Sequence, residues 1–209
     1  MATFSNDVDV LKWEPVLFGE LHLPTQVLAG RTGATLSGTT LTATGAGAVI
    51  HLRSANGTLD GAYEIVSVDS ATELTVSVVR ADAADPAIAP PPGNDLAYRV
   101  STFAPQAAEA AFELTQCFGI QPGDPTSDIA PESILDTEGL RRASVLRVIS
   151  KVYAMWASKP AGEHFWQKSL FYEQLYEKAR QRCHVTVDLG GDGVSDVLRV
   201  GGAIRLVRD

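Results

Sequence analysis

Ala97-Tyr98-Arg99-Val100-Ser101-Thr102-Phe103-Ala104-Pro105-Gln106-Ala107-Ala108-Glu109-Ala110-Ala111-Phe112-Glu113-Leu114 changes its period midway, and that change decides the fold class. Ala97 to Val100 reads as the last strand of a β region. From Pro105 onward Ala107, Ala111, Leu114 and Phe118 recur at steps of three and four, the spacing of one helix face, until Gly119 ends the helix.

Upstream, from about Val27 to Val100, the chain is rich in Gly, Thr, Ala and Val, and its period is two. Thr35-Leu36-Ser37-Gly38 and Thr40-Leu41-Thr42-Ala43 alternate, Gly45 to Gly47 supplies a corner, and Ala48 to Arg53 reads as a strand. Asn56-Gly57 is a turn, because both residues tolerate the positive φ that tight hairpins demand. Gly61 to Val68, with Tyr63 and Ile65 on one face, and Glu73 to Val79 are further strands. The proline-rich run 84–94 lacks the amide donors of a ladder and is a loop. Short strands at this spacing predict a small antiparallel barrel or sandwich. Before them, Asp7 to Glu14 forms a short amphipathic helix, capped by Asn6 or Asp7 and closed by Pro15.

Downstream the helical period continues. Pro131 to Ile134 opens a short helix, and the next carries Val145, Ile149, Val152 and Trp156 on one stripe. Lys159-Pro160-Ala161-Gly162 stops it. A further helix runs from Glu163 to Arg182, with Lys178, Arg180 and Arg182 complementing the dipole of its last turns. The tail is strand-like again at Val185 to Leu189, Val197 to Val200 and Ala203 to Val207, with Gly190-Gly191-Asp192-Gly193 as a turn. The class is therefore α+β. A helical domain is built from both chain ends (1–26 and 101–183), a β module is inserted at 27–100, and a β arm follows at 184–209. An insertion costs little when its ends lie close together.

With 209 residues, 45% of them hydrophobic and 20% charged, the chain has the composition of a folded protein. A net charge of −8 argues against gripping nucleic acid through its phosphates. No basic-then-apolar leader follows Met1 and no apolar run of membrane-spanning length occurs, which predicts a soluble chain made in the cytosol. Cys117 and Cys183 belong to no CxxC or Cys/His motif and read as reduced thiols.

Signals for catalysis or cofactors are sparse. Asp188, Asp192 and Asp196 with Gly193 echo a calcium loop, but Gly190 stands at its third position and Arg199 where a bidentate carboxylate is needed. His22, His51, His164 and His184 have no second ligand at metal-binding spacing, and nucleophile-elbow, zincin and phosphate-loop motifs are absent. No enzyme activity, cofactor or metal is expected. The aromatic set Tyr153, Trp156, Phe165, Tyr172 and Tyr176 reads as core between two helices. Trp166 and Phe171 fall off that stripe and point to a lateral or partner contact.

Val10-Leu11-Lys12-Trp13-Glu14-Pro15, the long helices, and Val185-Thr186-Val187-Asp188 through Gly191-Asp192-Gly193-Val194-Ser195-Asp196 resemble head–tail adaptor (connector) proteins of tailed bacteriophages and gene transfer agents. The likeness spans 1–26 and 101–209 and omits the β module. It implies a structural virion protein forming a ring, usually dodecameric, beneath the portal protein at the neck. Such a ring joins capsid to head-closure and tail proteins and lets DNA pass without specific binding, the chain residing in host cytoplasm before assembly. It also implies that the arm docks the portal, through Val185, Val187, Leu189, Val197, Val200, Ile204 and Leu206. The competing expectations are another neck or tail component, such as a head-closure or tail-terminator protein, and a small-ligand binder or enzyme.

Overall fold

A computed structural model describes residues 3–19, 26–27, 30–32, 35–37, 46–70, 72–121, 129–158 and 162–201. His22, the strand expected at 40–43, Gly45, most of the loop at 121–131, the stop at 159–161 and the terminal strand with Ile204 and Leu206 lie outside them. The fold is α+β, in two compact units: Asn6–Phe103, and Met1–Ser5 with Ala104–Asp209.

Asn6–Phe103 opens with α1 (Asp7–Trp13) and α2 (Val16–Gly19). Asn6 and Asp9 form a reciprocal capping box, each side chain accepting the other's backbone N–H at 2.9 and 3.0 Å, an arrangement that stabilises a helix start by about 1 kcal/mol. Among the described residues seven strands follow: β1 (Gln26–Val27), β2 (Gly30–Thr32), β3 (Thr35–Ser37), β4 (Val49–Ser54), β5 (Asp60–Ser70), β6 (Glu73–Ser77) and β7 (Leu96–Ser101). They form one antiparallel sheet in the order β1-β7-β4-β5-β6-β3-β2, rather than two stacked sheets. A period of two fixes which residues share a face and leaves the pairing order open. Ile50, Leu52, Ile65, Leu74, Val76 and Tyr98 make its core. The turn at Asn56-Gly57 is present, with Gly57 at φ +72° and the Asn56 side chain accepting from Thr58 N–H. After β6 the loop is anchored by the buried ion pair of Arg80 with Glu64, and Arg80 also donates to Ala83 O at 2.8 Å.

β4 is buried on both faces. Ile50 and Leu52 enter the sheet's core, yet Val49 and His51 are buried too, because α1 and α2 pack against β4. Val10, Leu11, Leu17 and Phe18 lose their water there, and Phe18 meets Phe103 edge-on at 5.0 Å. The boundary expected at 26/27 therefore falls at 5/6: the first two helices belong with the sheet. An amphipathic stripe shows that a helix must bury a face and does not name what covers it.

The unit's two ends are tied together by Asp7, whose buried carboxylate accepts Phe103 N–H at 2.7 Å. Burial pushes the Asp7 carboxyl above its usual range, against the hydrogen bonds of Phe103 and Thr102. The folded chain thus holds this proton more tightly than the unfolded one, so stability falls as pH rises from about 3.8 through the raised value. Asp7→Asn keeps an acceptor for Phe103 and removes the charge. It is expected to stabilise the unit at pH 7 by on the order of 1 kcal/mol and to shrink its stability difference between acid and neutral pH. Thermal unfolding of both proteins across that pH range checks this.

The other unit comprises α3 (Ala104–Cys117), a 3-10 turn (Pro131–Ser133), α4 (Glu138–Ala157), α5 (Glu163–Arg182), β8 (His184–Val187) and β9 (Val197–Val200). α4 is its axis, covered by α3, α5 and β8, with Leu140, Val145, Val148, Ile149 and Val152 buried around its circumference. Tyr153 stacks on Phe165 and Tyr172, both at 5.9 Å, and meets Trp156 edge-on at 5.8 Å. Arg147 links all three long helices through ion pairs with Glu113 of α3 (2.6 Å) and Glu173 of α5. Ser5 at the chain start bonds Ser144 of α4 at 2.7 Å.

Candidate functional site

α5 is zipped to α4 along one face only. Ser169, Tyr172 and Tyr176 are buried at helical spacing, and Ser150 and Ser169 exchange hydroxyl-to-carbonyl bonds at 3.2 and 3.0 Å. The rest of its circumference presents Trp166, Leu170 and Phe171, which are 52%, 44% and 57% exposed. The structure thus gathers the Tyr153-centred aromatics into core and leaves Trp166 and Phe171 outside it. Leu170 completes their patch; four residues after Trp166, it was detectable from spacing alone. Two half-exposed aromatic rings and a leucine offer on the order of 300 Å² of apolar surface, the size at which a patch on a single chain begins to mark an interaction site.

The arm is the second candidate, and its residues divide. Val185 and Val187 are fully buried in their own unit. β8 lies between β9 and the segment after the 3-10 turn, where Leu135 N–H reaches Thr186 O at 3.0 Å and Asp188 N–H reaches Ser133 O at 2.9 Å. The expectation that Val185 and Val187 dock a portal is therefore corrected: they fill the unit's own core. Val197 is half-buried, facing the same way as Arg199, whose Nη1 donates to Phe118 O at 2.6 Å. Leu189 and Val200 are exposed, as is Leu198 at 61%. Leu198, which the sequence reading did not single out, shares a face with Val200 at period two, and the Arg199 anchor turns that face to water.

The acidic loop is held by its own backbone. Asp188 accepts from Gly191 N–H at 2.6 Å and Gly193 N–H at 2.7 Å, and Asp196 from Leu189 at 2.7 Å and Gly190 at 3.1 Å. The N–H donors of Gly193 and Gly191 hold the Asp188 carboxyl below its usual range. The carboxylates act here as loop staples. Among the described residues no group of three or more His, Cys, Asp and Glu is placed to hold a metal ion. His51 is buried with Nε2 at 3.1 Å from Asp60, and burial, with Arg99, lowers its pKa; His164 and His184 lie exposed and apart. Cys183 is buried, and Cys117 accepts from Arg180 at 3.2 Å. No described helix is long and apolar enough to cross a membrane.

Comparison of the chain with protein-family models, with curated proteins and with solved structures returned no match.

Proposed function

We propose that this chain is a non-enzymatic structural subunit of a tailed-phage neck: a head–tail adaptor that joins its copies in a ring between portal and tail. The observation that carries the proposal is the outer face of α5. A helix that already buries one face in its own unit keeps Trp166, Leu170 and Phe171 in water, which costs solubility unless a neighbouring chain covers them. The order of parts supports it: a short amphipathic opening, long helices, and a glycine- and aspartate-bearing β hairpin, as in the adaptors the sequence resembles. A charge of −8 suits a channel that must not retain passing DNA. On this reading the arm's share of the docking falls to its exposed residues, Leu189, Leu198 and Val200.

Electron microscopy of particles carrying the chain tests the proposal. Several copies are expected in a ring between portal and tail; a chain found in the capsid lattice or tail tube, or missing from particles, overturns it. Trp166→Glu with Phe171→Glu is expected to block incorporation. Because both side chains are exposed, the unfolding free energy should change by no more than about 0.5 kcal/mol per site.

A further inference from the structure

Among the described residues the outer edge of the β9 backbone is open. Gly201 N–H donates to Cys183 O at 2.9 Å, which makes Cys183 and Gly201 a hydrogen-bonded pair; by alternation Val185/Arg199 and Val187/Val197 are the next such pairs. Thr186 O, taken by Leu135 N–H on the far side of β8, agrees with that phase. Leu198 and Val200 therefore turn both N–H and C=O away from β8, and among the described residues no hydrogen bond reaches those groups. Open edges are usually blunted by lysine, proline or a bulge. β9 is itself short, at 4 residues, but carries neither lysine nor proline, and its one charge, Arg199, is turned onto Phe118 O.

We propose that β9 pairs with β9 of a second copy of this chain, antiparallel about a two-fold axis at Arg199, joining the two hairpins into one four-stranded sheet. The edge is complementary to itself. With Arg199 opposite its counterpart, Leu198 of each copy faces Val200 of the other. Both are outward-bonding positions, so four backbone hydrogen bonds close at once. Their side chains emerge on the same exposed face, 61% and 46% accessible, and form one apolar cluster of four. A slip of one residue sets outward groups against inward ones, and a slip of two keeps the phase but leaves the reciprocal Leu198–Val200 pairs unmade, so this register makes the most of the edge. Charge agrees. Away from the axis, the antiparallel arrangement brings the exposed Asp192 and Asp196 at one hairpin's tip alongside the exposed Arg182 at the other's base. Two strand spacings, about 10 Å, separate them, about one Debye length at ordinary salt, so this attraction is largely screened there and grows as salt is lowered.

This pairing does not depend on the neck assignment and is no ring contact, since a two-fold contact closes on itself. It covers an edge that an assembly partner would otherwise meet. Its area falls well below the roughly 800 Å² per partner of stable complexes. The chain is accordingly expected to be monomeric at micromolar concentration and to pair as it approaches about 1 mM.

Sedimentation of the full chain from about 10 µM to about 1 mM tests this, with amide hydrogen exchange at both extremes. Expected is a monomer–dimer equilibrium in which Leu198 and Val200 amides gain protection with concentration. Val197 and Arg199 amides should be protected throughout. Val200→Pro removes only an outward donor, and Leu198→Lys charges the shared face. Each is expected to weaken dimerisation at least about tenfold. A chain that stays monomeric over the whole range overturns the proposal. So does a dimer indifferent to Leu198→Lys, or one abolished by Trp166→Glu with Phe171→Glu instead.

Discussion

Removal of residues 184–209 is expected to unfold the helical unit, not merely to disarm it. The deletion strips Val185 and Val187 from the flank of α4, where both are fully buried, and breaks the bonds from Leu135 and Asp188 that hold the turn at 133–135. Each lost valine forfeits roughly 1.5–3 kcal/mol of burial, against a net stability of only about 5–15 kcal/mol for a domain of ordinary size. Far-UV circular dichroism should show a broad, early loss of helix in place of a cooperative transition. The single change Val187→Asp places an unpaired carboxylate in the same core and is expected to cost about 4 kcal/mol or more. Leu198→Ser, on the exposed face of the same hairpin, should stay within about 0.5 kcal/mol of the parent. A truncated chain that kept the parent's cooperative transition would refute the placement of β8 in the core.

Joining Ser5 to Ala104 through a short Gly/Ser linker should leave the helical unit folded with its own transition. The chain leaves and re-enters that unit at these residues, and the ends of the excised unit are hydrogen-bonded to each other through Asp7 and Phe103. The Tyr153-centred core and the Arg147 ion pairs lie wholly outside the excised stretch. Excising 28–98 instead is expected to fail. It leaves α1 and α2 without β4, exposing Val10, Leu11, Leu17 and Phe18, each of which gained roughly 1.5–3 kcal/mol by burial. The first product should be monodisperse and unfold cooperatively; the second should aggregate or unfold early. Equal behaviour of the two deletions would refute the boundary at 5/6.

These expectations part from the sequence where burial partners matter. Strand and helix positions were legible because local pattern sets them: the Asn56-Gly57 turn, the capping residue Asn6, and the stripe of Val145, Ile149, Val152 and Trp156 are properties of neighbouring residues. The candidate surface on α5 was legible for a related reason, since Trp166 and Phe171 break a helical stripe that Tyr172 and Tyr176 keep. The fate of the arm was not. Val185 and Val187 alternate like any exposed ribbon, and only α4 and the turn at 133–135, more than forty residues earlier, turn them into core.

Period and capping follow from bonds and sterics within a few residues, so the α+β class, the order of elements and the off-stripe aromatics are written in the chain. Which face of an amphipathic element meets which other element depends on contacts between residues far apart, where many pairings satisfy the same local pattern. The 5/6 boundary and the burial of β8 therefore belong to the tertiary structure. They are choices among equally patterned surfaces, settled by where α1, α2 and α4 find cover for the rest of their apolar area.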